Sequence, residues 1–98
     1  MDDKYEVNSR IFKALSDVNR LKIIDLLSYE EKCGCKILEH FNFTQPTLSH
    51  HMKVLIECGL VEARNYYKIS NESAKELIKF IKSITNKDMD INGNEIEQ

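Results

Sequence analysis

The sequence predicts an α+β fold that is mainly α, in which a helix-turn-helix is followed by a short two-stranded hairpin and closed by a last helix. Three observations lead there. Apolar residues recur at helical spacing in five separate stretches, as they do in helices with one buried face. Two of these, Cys33 to Phe41 and the stretch from Thr44 to Gly59, are joined by a turn of about three residues, the spacing of a helix-turn-helix. The run from Leu60 to Ser70 then alternates and contains Val, Tyr and Ile, as short antiparallel strands do.

The first helix is expected over Tyr5 to Leu15, with Val7, Ile11, Phe12 and Leu15 as a narrow apolar stripe. Ser16 stops it, and Asp17 is placed to cap the second helix, Val18 to Ser28. That helix is apolar at Leu21, Ile23, Ile24, Leu26 and Leu27, more than one stripe, which predicts a central position. Tyr29 to Lys32 is a charged connector. The third helix, Cys33 to Phe41, turns Ile37, Leu38 and Phe41 inward. Thr44 should cap the fourth helix with its hydroxyl, and Pro46, the only proline, falls in the first turn, where a missing N–H costs nothing. Gly59 ends that helix as a left-handed cap, followed by Leu60 for the accompanying hydrophobic contact.

Within the fourth helix Leu48, Met52, Leu55 and, at the margin, Ile56 form the apolar face. Opposite lie Ser49, His50, Lys53 and Glu57, led by Gln45 and Thr47. Short hydrogen-bonding groups dominate that face, so it is read as a surface for a polar, patterned partner. His51 sits near the apolar edge and is expected to pack. Strands LVEAR and YYKIS follow, joined through Arg64, Asn65 and Tyr66 without the glycine a tight hairpin favours. Ser70 or Asn71 caps a last helix, Glu72 to Thr85, with Leu77, Ile78, Phe80, Ile81 and Ile84 on its apolar face.

At 98 residues the chain supports one domain, placed at residues 1–85, with an acidic tail at 86–98. The net charge is −2, but the tail holds Lys87 against Asp88, Asp90, Glu95 and Glu97, which leaves +1 for the rest. That balance does not exclude DNA, provided the basic groups share one side. The polar, acidic N-terminus lacks a secretory signal, so the expected compartment is the cytoplasm. No apolar run approaches membrane-spanning length. A core this small leaves a thin margin of stability. The stripe of Val7, Ile11, Phe12 and Leu15 is therefore expected to join Leu77, Ile81 and Ile84 in a homodimer interface across a two-fold axis.

Three cysteines in such a chain are free thiols or soft-ion ligands rather than a disulfide framework. Cys33 and Cys35 flank Gly34 at the start of the third helix. Residues two apart on a regular helix point about 200° apart, so one ion can take both thiols only if the first turn distorts, and that conflict is a candidate switch. Gly34 eases the distortion, while the helix start with Lys32 and Lys36 favours thiolate. Thiolates select soft ions. Cys58, at the far end of the fourth helix, is a weak third candidate whose plainer role is a small residue at a helix interface.

The segments ALSDVNRLKIIDLL (Ala14 to Leu27), CGCKILEHF (Cys33 to Phe41) and TQPTLSHHMKVLIECGLV (Thr44 to Val61) resemble the ArsR/SmtB family of metalloregulatory winged-helix repressors. The likeness is to its arsenic-responsive branch and covers Phe12 to Ile84. It implies a winged helix-turn-helix homodimer that binds a partly palindromic double-stranded operator and is released by a regulatory ion. With Cys33 and Cys35 as ligands, that ion is As(III) or Sb(III), as arsenite or antimonite; no permanent cofactor is implied. Gln45, Thr47, Ser49 and His50 become the base readers of a major-groove helix, and Lys53 a phosphate contact. Arg64 and Lys68, on a short, stunted wing, can meet phosphates.

The sequence departs from the family in three places. A third cysteine used in one branch is replaced by Leu38, the last helix has no histidine for a zinc-type site, and the wing lacks the usual Gly-rich, basic loop. A dithiol redox repressor and a Cd/Zn/Pb-type sensor are the alternatives within regulation. A protein-binding adaptor that ignores DNA lies outside it. An enzyme with Cys35 as nucleophile has no placed orienting group and no glycine-rich pocket, so no enzymatic activity is expected.

Overall fold

Local signals placed the elements well. The computed structural model describes residues 3–86, with helices α1 (Lys4–Ala14), α2 (Val18–Leu27), α3 (Gly34–Leu38), α4 (Gln45–Glu57) and α5 (Asn71–Thr85). Between α4 and α5 lie strands β1 (Val61–Ala63) and β2 (Tyr67–Ile69). The expected acidic tail lies outside the described residues except for Asn86, which follows α5.

Asp17 caps α2 as predicted: its carboxylate accepts the Arg20 amide at 3.0 Å. Ser70 does the same for α5 by accepting from the Ser73 amide at 3.3 Å. Gly59 ends α4 with φ +88°, a left-handed conformation that L side chains rarely adopt. Thr44 is a correction. It stands at the N-cap of α4, yet its hydroxyl accepts no amide and faces the Thr47 hydroxyl at 3.4 Å. A cap hydroxyl reaches for the amide two or three residues on, and Pro46 has removed one of those two donors.

Helix α3 is also shorter than Cys33 to Phe41. Its last turn tightens, with the His40 amide donating to the Ile37 carbonyl and the Phe41 amide to that of Leu38. Phe41 and Phe43 then stack with ring centroids 4.6 Å apart and fill the corner into α4.

Two apolar clusters hold these elements. The main one joins Ile23 and Leu27 of α2, Ile37 of α3, Leu48, Met52 and Leu55 of α4, and Val61 of β1, all nearly free of solvent. The helical phase of α4 thus delivers its inner face as read. Helix α2 is less central than expected: Val18 and Leu21 remain exposed, because α4 and β2 cover only one side of it. The second cluster is small, with Ile11 of α1, Leu60 and Leu77 of α5.

That second cluster corrects part of the expected dimer interface. Ile11 and Leu77 are buried within the chain itself, and Leu15 packs against both clusters. Val7, Phe12, Ile81 and Ile84 are exposed, joined by Tyr5 and Ile78.

The hairpin is antiparallel with Val61 opposite Ile69, Glu62 opposite Lys68 and Ala63 opposite Tyr67. The Arg64 amide donates to the Tyr66 carbonyl at 3.2 Å and closes the tip without glycine. The connector before α3 joins this sheet at one point: the Lys32 amide donates to the Tyr67 carbonyl at 3.0 Å, and the Tyr67 amide to the Lys32 carbonyl at 2.8 Å.

Candidate nucleic-acid face and thiol pair

Helix α4 presents two faces with different chemistry. While Leu48, Met52 and Leu55 are fixed in the core, Gln45, Thr47, Ser49, His50 and Lys53 are all exposed. The Gln45 side-chain amide donates to the Ser49 hydroxyl at 3.3 Å, which aligns two polar groups along the helix. Lys53 meets Glu57 at 4.0 Å, with both side chains exposed. Such pairs are worth little, so Lys53 can exchange its partner for a phosphate. The base-reading candidates therefore share one solvent-facing surface on the helix that follows the turn.

His51 behaves as its place near the apolar edge predicted. It is buried, its ring lies 5.4 Å from that of Phe43, and its Nδ1 is 3.1 Å from Nη1 of Arg20. Arg20 can only donate, so Nδ1 accepts and His51 is held neutral. Burial pushes its pKa below the ordinary histidine value. The same Arg20 donates through Nε to the Ala14 carbonyl at 2.6 Å. One guanidinium thus fastens the end of α1 to the middle of α4. Nothing in the local sequence signals this clamp, and Arg20 was not among the expected residues.

Lys68 meets Glu62 across the hairpin at 3.6 Å, whereas Arg64 at the tip is exposed and in no ion pair among the described residues. Of the two wing candidates, Arg64 is the readier phosphate contact.

The thiols overturn one expectation. Cys33 is not on α3 but at its N-cap, with extended backbone (φ −74°, ψ 161°). Its side chain therefore escapes the helical phase and swings over the first turn. Cys33 Sγ and Cys35 Sγ lie 2.9 Å apart, so no helix distortion is needed to bring them together. The Cys35 thiol donating to Cys33 lowers the Cys33 pKa, and the same bond raises that of Cys35. Of the two, Cys33 is therefore the thiol that gives up its proton first. Two thiolates about 2.3 Å from one ion stand about 3.3–3.8 Å apart, a separation within a small side-chain rotation of the one observed.

Cys58 is not brought to this pair. It is half-buried against the second cluster and donates to the Leu55 carbonyl at 3.3 Å. Helix α4, 13 residues long and so about 20 Å from end to end, separates it from the turn beside α3. Among the described residues no three His, Cys, Asp or Glu side chains cluster as ion ligands. The donor set on offer is the dithiol, which suits a soft ion with two protein ligands.

The pair is tied both to α4 and to the hairpin. A Cβ on Gly34 would lie 3.6 Å from the Tyr67 ring and 3.9 Å from Leu48, so the turn between the cysteines rests on β2 and on α4. The backbone bridge at Lys32, one residue before Cys33, adds the second tie to β2. Sequence reasoning missed that bridge, for which the connector carries no strand signal.

Comparison with known proteins bears on this arrangement. The family described as "Bacterial regulatory protein, arsR family" matches residues 17–63. An arsenical resistance operon repressor of Staphylococcus aureus is 46% identical over 80 residues, which cover 76% of this chain and 77% of that protein. One of Staphylococcus xylosus is 51% identical over 73 residues, 69% of this chain and 70% of that protein. Among solved structures, an ArsR-like transcriptional regulator from Rhodococcus sp. RHA1 superposes with a TM-score of 0.81 at 20% identity, covering 88% of this chain and 86% of that one. A homodimeric winged helix-turn-helix DNA-binding domain from Mycobacterium bovis, a possible ArsR-family regulator, gives 0.70 at 29% identity, over 89% and 88% of the two chains. No described helix is long and apolar enough to cross a membrane.

Proposed function

The chain belongs to the arsR family of bacterial regulatory proteins, and from that premise we propose that it is a homodimeric, DNA-binding transcriptional repressor of the cytoplasm, not an enzyme, which leaves its operator when a thiophilic ion binds Cys33 and Cys35. Arsenite or antimonite is the favoured effector, in keeping with the arsenical resistance operon repressors it resembles. The observation that carries this reading is the thiol pair, 2.9 Å apart, on a segment tied to both the reader helix and the wing.

In the free protein Gln45, Thr47, Ser49 and His50 offer base contacts from an exposed helix face, while Lys53, Arg64 and Lys68 meet phosphates. The exposed faces of α1 and α5 supply the dimer contact through Val7, Phe12, Ile81 and Ile84. Pairing two reader helices lets a partly palindromic site be read twice. Cys33 supplies a thiolate and Cys35 a thiol that gives up its proton on ligation. Because Cys33 lies beyond the helix, the two side chains rotate apart onto the ion without unwinding α3, and the bound ion bears on the Lys32 to Gly34 segment. That segment bears on Tyr67 and Leu48, so the spacing of reader and wing changes together. By reciprocity, operator DNA weakens ion binding by the same factor.

The test is a titration of arsenite into complexes with a duplex carrying the region upstream of the chain's own coding sequence, followed by fluorescence anisotropy. Wild type should release; Cys33→Ser should bind the duplex as tightly and stay bound. Release by the variant at the wild-type arsenite concentration would remove the dithiol from the mechanism. If release instead follows peroxide and reverses with a reductant while arsenite does nothing, the dithiol is a redox sensor.

A further inference from the structure

We infer that α1 contributes two phosphate contacts, Arg10 and Lys13, that extend the DNA footprint of α4 along its flank; this rests on the reading of α4 as the DNA reader. Helix α1 packs on α4, and between them and the start of α2 runs a cleft of about 280 Å³ whose walls include Arg10, Lys13, Arg20, His50, Val54 and Glu57. His50 belongs to the exposed reader face, so the cleft is continuous with the surface that meets the bases.

Its charges are arranged for an external anion. The carboxylate in its lining, Glu57, meets Lys53 along α4 at 4.0 Å. The guanidinium of Arg20 is occupied by the Ala14 carbonyl and the His51 ring. Arg10 and Lys13 are exposed, and neither makes an ion pair among the described residues, although Glu6 lies one helical turn before Arg10. Elsewhere Lys32, Lys36, Lys53, Lys68 and Lys79 each meet a carboxylate within 4.0 Å. A helix in the major groove is flanked by phosphates spaced at one charge per about 1.7 Å of duplex axis. Two unpaired cations beside His50 match that flank in sign and place. They carry no base preference, so their effect is on affinity and register rather than on choice of site.

The experiment compares the full chain with an Arg10→Gln, Lys13→Gln variant and with a Lys75→Gln, Lys82→Gln control on α5 that makes the same change in net charge. Binding to the upstream-region duplex and to a random duplex of equal length is measured from 50 to 200 mM salt. Each lost phosphate contact lowers the slope of log K against log salt by about 0.9, so the α1 variant should lose about 1.8 per protomer on both duplexes while the control keeps the wild-type slope. An α1 variant with the wild-type slope and an unchanged thermal melt overturns the contact. So does a control that falls equally, since the effect would then be general charge. If the wild type itself binds neither duplex, the DNA-binding reading fails first and takes this inference with it.

Discussion

The two apolar clusters are built from the same residue types but finished differently. Around Ile23, Ile37, Leu48 and Leu55 the packing is complete on every side. Around Ile11, Leu60 and Leu77 it stops short, and Phe12, Ile81 and Ile84 next to it keep 37–43% of their surface in water. The first cluster is the core of a monomer and fixes α4. The second is half a core, which a second copy of the chain completes under the proposed function. Apolar periodicity alone cannot distinguish the two, because α4 and α5 both carry apolar stripes at helical spacing.

The sharpest way to break that contrast is inside the first cluster. Leu55→Ala should cost about 2–5 kcal/mol, read by denaturant unfolding with the dimer kept at fixed concentration. A loss under 1 kcal/mol would mean that the cluster is not close-packed. Next in size is the exposed edge of the second cluster. Phe12→Glu with Ile81→Glu should leave the far-UV spectrum intact but shift sedimentation to the monomer and weaken binding to the upstream-region duplex by at least tenfold, since one reader helix has lost its partner. A variant that remains dimeric would move the interface elsewhere.

The smallest expected effect links the two clusters through the Arg20–His51 contact. His51 has its folded pKa depressed by burial, so the unfolded chain binds the proton more readily. The stability it contributes is complete above the ordinary histidine pKa of about 6.5 and is lost as pH falls below it. The melting temperature of wild type should therefore drop between pH 7 and pH 5, and His51→Gln should flatten that drop. Asp17, whose carboxyl is held low by the Arg20 amide, adds its loss only at lower pH, as the carboxylate range is entered. Equal slopes in wild type and variant would show that His51 is not the group responsible.

Features resting on neighbours in sequence were legible. The Asp17 cap, the Gly59 stop and the Leu48, Met52, Leu55 stripe each follow from a few adjacent residues and the period of a helix, and the exposed polar face of α4 followed by subtraction. The dithiol was found by composition but misplaced by geometry: assigning Cys33 to the helix implied a conflict that an N-cap residue does not have. The Arg20–His51 contact spans 31 residues, and Lys32 meets Tyr67 from a connector without strand character, so neither leaves a trace in any short window. Ile11 and Leu77 were assigned to a partner because nothing in their stripes records that Leu60 lies between them.

The Lys32 and Tyr67 bridge sets what kind of motion can pass from the thiols to the wing. A ladder of several residue pairs fixes both the position and the angle of a strand. Two hydrogen bonds at a single residue pair fix position and leave the angle free, as a pivot does. Under the proposed function, a displacement of the connector beside Cys33 therefore carries the turn end of the hairpin with it but applies little torque, so the wing can swivel with its own ladder intact. The linkage behaves as a tether, transmitting translation far better than rotation.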